Sequence, residues 1–252
     1  MTPVRPGQRR RREDLRLLLL QIREHAGVRR EEHLSFARYA GLDPEQITVW
    51  NVFDRPVVPP HVASGFDALL VGGASEASVL EPETYPFVPA GCTLMINAIA
   101  QRTPTFASCF GFQLAVLALG GRISRATGDF EMGTPPIRLH PAAADDLLFR
   151  DTPDGFHAVS VHRESASCAP PGTTALAYTD ACCHAFRHPR APFWATQFHP
   201  EVDRPTLVER LRVYAGRYTR NTAHYDQVIA DIVDTPESNA LIAKFVERVL
   251  LG

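Results

Sequence analysis

Four short runs, residues 15–22, 47–53, 68–71 and 105–109, are dense in apolar residues without strict alternation and are bounded by turn residues or polar stretches. A run that is apolar throughout, instead of at alternate positions, is what a strand buried on both faces needs, and parallel strands are of that kind. Between these runs, residues 29–40, 82–101 and 111–119 can supply helices, with Pro86 and Pro89 delaying the start of the second. The alternation predicts an open α/β sheet. From 121 to 199 the texture changes to short segments punctuated by Gly133, Pro135, Pro136, Pro141, Gly155, Pro170, Pro171, Pro189 and Pro192, which predicts hairpins added to that sheet, with extended stretches at 136–140, 156–161 and 174–178. The chain then returns to helical spacing over 206–218, 221–233 and 238–251, Pro205 opening the first segment. No internal repeat is visible.

Length and composition narrow the function classes. A chain of 252 residues with 45% apolar and 21% charged side chains can bury a core, so disorder and small disulfide scaffolds are excluded. The net charge of -2 and the absence of a local basic patch argue against nucleic acid as a partner. The longest apolar run, 15–22, is too short for a bilayer and is bordered by Glu13 and Asp14, so a soluble protein with no membrane partner is expected. Five cysteines, an odd number, with no cleavable signal, point to a reduced, cytoplasmic setting in which at least one thiol is free. Residues 1–13, with Pro3, Pro6, Gly7 and the run Arg9, Arg10, Arg11, Arg12, are expected to form a disordered basic tail.

One of those thiols stands at a chemically loaded position. In Pro104-Thr-Phe-Ala-Ser-Cys-Phe-Gly-Phe-Gln113 a predicted strand runs directly into a predicted helix with Cys109 at the junction. A nucleophile on that sharp turn needs small residues two positions either side, and Ala107 and Gly111 supply them. The turn also aims the helix N-terminus at the sulfur, which favours thiolate over thiol and places the Phe110 amide to bond an oxyanion. A cysteine in an apolar stretch is by itself more often an inert core residue, so a partner is required. Far downstream, in Gln197-Phe-His-Pro-Glu201, His199 and Glu201 lie two apart, on one face of an extended backbone, where the carboxylate can hold the imidazole in the tautomer a general base needs.

Together the two segments resemble the class I glutamine amidotransferases, triad-type glutaminases with motifs G-x-C-x-G-x-Q and Q-x-H-P-E. The resemblance extends to Val71-Gly-Gly-Ala-Ser75, similar to the family's glycine-rich oxyanion loop, and to Val161-His-Arg-Glu164, similar to its S-H-x-D substrate segment. Glu131-Met-Gly133 resembles an E-x-G element of the branch holding GMP synthase-like glutaminases and γ-glutamyl peptidases. The resemblance implies a flavodoxin-like fold: an open, mostly parallel sheet flanked by helices, here with an added β-hairpin region. It makes residues 14–203 the amidotransferase-like domain; beyond it, the helical spacing of 204–252 predicts an extension packed on the same domain, with docking to a partner as the alternative. The resemblance assigns Cys109 as nucleophile, His199 as general base and later acid, Glu201 as orienting carboxylate, and the Gly73 and Phe110 amides as oxyanion hole. Gln113 and the backbone around Val161 and His162 would bind the substrate's α-amino and α-carboxylate groups. Ala107 for glycine, Phe112, Glu164 for aspartate and Val161 for serine depart from the family pattern.

The expected function is a glutaminase that forms a γ-glutamyl thioester and supplies ammonia to a separate synthetase or acceptor subunit. The alternative is a γ-glutamyl peptidase, hydrolase or transferase acting on a γ-glutamyl amide or glutathione-like conjugate. A non-catalytic regulatory subunit is a third reading, disfavoured because all three triad residues are present. No cofactor is implied, and no ATP-binding signature is present. Cys182, Cys183, His184 and His188 are not read as a metal site, because adjacent cysteines seldom face one ion and the spacing fits no zinc pattern.

Overall fold

The computed structural model describes residues 10–126, 130–218 and 221–252. Its strands are β1 (Leu17–Gln21), β2 (Ile47–Asn51), β3 (Ala68–Val71), β4 (Thr105–Ser108), β5 (Ser124–Arg125), β6 (Glu131–Gly133), β7 (Pro136–Leu139), β8 (Phe156–His157), β9 (Ser160–His162), β10 (Glu164–Ser165), β11 (Thr174–Tyr178), β12 (Cys183–Arg187) and β13 (Phe193–Thr196). Its helices are α1 (Ala26–Ala40), α2 (Phe87–Ala100), α3 (Phe110–Ala118), α4 (Arg204–Val213), α5 (Ala215–Tyr218), α6 (Thr222–Asp231) and α7 (Pro236–Phe245).

A nine-stranded sheet in the order β2-β1-β3-β4-β13-β12-β11-β7-β8 carries the molecule. β2, β1, β3, β4 and β13 run parallel, and β12, β11, β7 and β8 continue the sheet antiparallel. β1, β3, β4 and β13 are buried on both faces, while β2, at the edge, is only partly covered: Leu18, Leu20, Leu69, Val71, Ala107 and Ala195 face α2 and α3, and Leu17, Leu19, Ala68, Leu70, Phe106 and Trp194 face α1 and α7. The expected hairpins are the antiparallel half of the sheet. Two small ladders, β10 with β5 and β6 with β9, stand outside it and form a wall beside the carboxyl ends of the parallel strands.

Helix boundaries differ from the sequence expectation for local reasons. α2 starts at Phe87 with Pro86 as its N-cap, and α1 starts earlier than expected because the His25 ring accepts from the Val28 amide at 3.4 Å. Residues 1–9 lie outside the described residues, but the expected unpacked tail does not extend to residue 13. Arg12–Asp14 form a 3-10 turn, and the Arg12 guanidinium donates to the Ala40 carbonyl at 2.9 Å, one of the orphan carbonyls at the end of α1. α7 buries Leu241, Ile242 and Phe245 against the sheet, with the Phe245 ring 5.7 Å from Phe106 and 6.2 Å from Trp194. No helix among the described residues is long and apolar enough to cross a membrane.

Candidate active site

β4 passes into α3 through Cys109, whose backbone sits at φ 51°, ψ -98°. Among the described residues only Arg102 shares a positive φ without being glycine. A side chain held there costs about 1–3 kcal/mol unless surrounding bonds over-determine the turn. They do: the Cys109 amide donates to the Thr196 carbonyl on β13 at 2.8 Å, and the Gly111 amide to the Gly72 carbonyl at 3.2 Å. The small-residue requirement is visible in the packing. A Cβ on Gly111 would lie 2.9 Å from both the Val71 Cβ and its carbonyl oxygen.

His199 and Glu201 follow β13, the strand paired directly with β4, so the sheet itself brings the two motifs together. His199 Nδ1 lies 2.6 Å from Glu201 Oε1, leaving Nε2 for the sulfur, and its backbone amide donates to the Val159 carbonyl at 2.8 Å. Burial works against a charged imidazole here, but the interactions with Cys109 and the Glu201 carboxylate outweigh it and raise the His199 pKa to about 9. Burial would likewise raise Glu201, yet the His199 charge and hydrogen bond hold it below the usual carboxylate range. Asn239 of α7 grips the backbone on both sides of this acid: Nδ2 donates to the Pro200 carbonyl at 2.8 Å and the Val202 carbonyl at 2.9 Å.

Gly73 closes the other side of the site. A Cβ placed on it would come within 2.5 Å of His199 Cε1 and 3.3 Å of Cys109 Cβ, so backbone approaches both residues where no side chain fits. Neither the Gly73 nor the Phe110 amide is taken up by a protein acceptor among the described residues.

An open cleft of about 300 Å³ leads to Cys109, lined among others by Phe110, Gln113, Arg125, Val161, His162 and Glu164. The structure gives the expected substrate-binding residues different postures. Gln113 is buried and its amide nitrogen donates to the Glu164 carbonyl at 2.8 Å, so it braces the cleft wall. His162 turns its ring toward Glu131 of the neighbouring strand. Val161 lines the wall, paired with Met132. Glu164, at the family's aspartate position, accepts from Ser78 Oγ at 2.6 Å and from Arg125 at 2.7 Å.

Arg23 and Glu32 form a buried ion pair near Cys109 that no sequence motif singles out, Nε to Oε1 2.8 Å with both side chains almost wholly enclosed. Arg23 also donates to Ser75 Oγ at 3.0 Å, and its Nη2 would be 2.9 Å from a Gly73 Cβ. Burial opposes its charge, but Glu32 and the nearby negative groups, Cys109 included, keep it protonated. The available signal was position: a cation just past the carboxyl end of the first parallel strand, where open α/β sheets place their sites. Gln197, inside the second motif, also belongs to the site without having been expected there; its Nε2 lies 3.8 Å from Cys109 Sγ. Glu131 of the E-x-G element is drawn into a cluster with His162, Cys182 and His184. Burial raises its pKa, but the two facing imidazoles outweigh it and keep the carboxylate ionised.

Comparison with known proteins agrees with this architecture. Residues 67–208 match the family model described as "Glutamine amidotransferase class-I". One subunit of the glutamine-hydrolyzing GMP synthase of Methanocaldococcus jannaschii is 33% identical over 106 residues, 42% of this chain and 54% of that protein. The GMP synthase of Thermobifida fusca is 30% identical over 173 residues, 66% of this chain and 30% of that protein. The matched part thus spans about half of the shorter relative and under a third of the longer one. A glutamine amidotransferase structure from Thermotoga maritima superposes with a TM-score of 0.70 at 16% identity, covering 94% of this chain and 99% of that one. One from Methylobacillus flagellatus gives 0.69 at 18% identity, covering 95% and 97%. At such identities these structures speak for the fold, which they share with this flavodoxin-like α/β sheet. With the family model covering more than half of its length, the chain belongs to the class I glutamine amidotransferases.

Proposed function

We propose that this chain hydrolyses the γ-amide of glutamine with Cys109 as nucleophile, His199 as proton carrier and Glu201 as its orienting acid, and that the ammonia passes to a separate synthetase subunit. The observation that carries this reading is the strained Cys109 turn, set at a helix N-terminus with a paired His199–Glu201 beside it. Cys109 Sγ attacks the amide carbon, and the developing oxyanion faces the Gly73 and Phe110 amides. His199, already charged at neutral pH, gives its Nε2 proton to the leaving nitrogen, which departs as ammonia. A water then attacks the γ-glutamyl thioester, His199 takes its proton, and glutamate leaves. Relatives named as one lettered subunit of a GMP synthase support an ammonia-consuming partner on a separate chain.

The cleft continues past Cys109 to Arg125 and Arg163, room that a γ-glutamyl peptide or conjugate would use, which favours γ-glutamyl hydrolysis as the second reading. Following glutamate release from glutamine and from a γ-glutamyl dipeptide separates the two. Release from the dipeptide alone would overturn the glutaminase reading, and release from neither, by the folded protein, would overturn both.

A further inference from the structure

We propose that Glu131, His162, Cys182 and His184 form a closed site for a zinc-class divalent cation that fastens the wall of the cleft. Their ligand atoms all lie within 4.8 Å of one another. Glu131 Oε2 is the focus: His184 Nε2 stands 2.9 Å from it, His162 Nε2 3.2 Å and Cys182 Sγ 3.3 Å. Zinc bonds of about 2.0–2.3 Å in a tetrahedron put neighbouring ligand atoms about 3.3–3.8 Å apart, so an ion would need Glu131 Oε2 to back away slightly and the wider-spaced atoms, up to 4.8 Å apart, to draw together.

Strand geometry makes the set. Glu131 on β6 pairs directly with His162 on β9. Cys182 and His184 are two apart at the start of β12 and share a face, while Cys183 between them turns its sulfur to the Ala185 carbonyl and His188 bonds the Arg190 and Ala191 amides. The ligand set therefore draws two members from the 131–162 ladder, which spacing along 182–188 could not show.

Hydrogen bonding to the carboxylate does not account for the cluster. Three groups converge on one oxygen, and His162 Nε2, on a side chain only 4% exposed, lies 3.2 Å from it but outside good hydrogen-bond geometry. A cation would accept all four lone pairs at once. Glu131 is oriented for this, since its other oxygen is held by Thr179 Oγ1 at 2.7 Å. Charge also balances: a carboxylate and a thiolate neutralise a divalent ion, and the only proton displaced is that of the Cys182 thiol, released to solvent. Two imidazoles, a sulfur and one carboxylate select zinc or cobalt over magnesium or calcium. Four protein ligands leave no open position, so the ion is a fastener between β6, β9 and β12 and performs no chemistry on substrate.

The test uses cobalt(II) on the full chain in a Cys109→Ser background, which removes the nucleophile as a competing ligand and makes the readout independent of glutaminase activity. After chelator treatment, the protein is expected to bind one equivalent, with a thiolate-to-cobalt absorption that zinc abolishes by displacement. Adding Cys182→Ser should remove that absorption, and His184→Gln should weaken cobalt binding at least about tenfold in the folded protein. Zinc should raise the Tm of the background protein and leave the Cys182→Ser variant unmoved. If the folded protein binds no cobalt, or if the thiolate absorption survives Cys182→Ser, the site does not exist.

Discussion

Gly73→Ala isolates how closely backbone is pressed against the reacting groups. The added Cβ would stand 2.5 Å from His199 Cε1 and 2.9 Å from Arg23 Nη2. Ordinary contact between carbons is about 3.5–4.0 Å, so the imidazole must retreat by about 1 Å. It cannot slide freely, because Nδ1 is tied to Glu201 at 2.6 Å and its backbone amide to the Val159 carbonyl at 2.8 Å. Gly73 does not occupy the left-handed region, so the substitution acts through crowding and not through backbone strain. A displacement of about 1 Å in a positioning group costs on the order of 10²-fold in rate, and local overpacking about 1–3 kcal/mol in stability. The expected outcome is kcat lowered about 10²-fold at saturating glutamine in a protein that still melts cooperatively. Gly216→Ala, whose Cβ meets nothing within 4 Å, is the control and should be silent. Glutamate release is measured alongside circular dichroism melts. A Gly73→Ala enzyme within about threefold of the parent, equally stable, would refute the geometry argued for the site.

Cys109→Ser should abolish glutamate release and remain folded, and a diazo-ketone glutamine analogue should label Cys109 in preference to the other cysteines by mass spectrometry, because it binds beside Cys109 while burial pushes the Cys92 thiol up to about 11 and the Cys183 thiol up to about 12. Glu201→Gln should cost less than His199→Ala, with the double variant little worse than His199→Ala; multiplicative losses would separate the acid from the base. Because His199 is raised from 6.5 to about 9, its stabilising charge is complete below about pH 6.5 and is lost as pH rises through about 9, so kcat/KM should fall on that alkaline limb. In Cys109→Ser the imidazole should titrate lower by NMR, and an unchanged titration would show that the sulfur does not hold the proton. Arg23→Met should destabilise by about 3–5 kcal/mol in urea unfolding by stranding Glu32, and adding Glu32→Leu should recover most of it; equal losses in both would mean that the pair is not what was removed.

The strands in the middle of the parallel half were legible because burial on both faces leaves a dense apolar signature, as in the Ala-Leu-Leu-Val of 68–71. Cys109, His199 and Glu201 were legible because a strand-to-helix junction and an alternate-residue pair are local patterns. What remained hidden depends on pairing between distant strands. Arg23 meets Gly73 only because β1 and β3 are neighbours, and Glu131 meets His162 only through the register of β6 on β9. Gln113 was assigned by likeness to the substrate, yet its amide is engaged by the Glu164 carbonyl, a contact between residues 51 positions apart that no linear pattern announces. Helix starts shifted by a few residues where a cap decided them, as His25 does for α1.

The Asn239 amide has a bearing on how the chain could be shortened or recombined. The three residues of the proposed triad all lie before residue 202, so a version ending near 203 would keep all of them on paper. It would lose the side chain that bonds the carbonyls flanking Glu201, and with it the enclosure that keeps that carboxylate dry and in line with His199. Grafting the sheet and its two motifs onto another protein would therefore transfer a cysteine and an imidazole, but a poorly aimed acid. The minimal exchangeable unit includes α7.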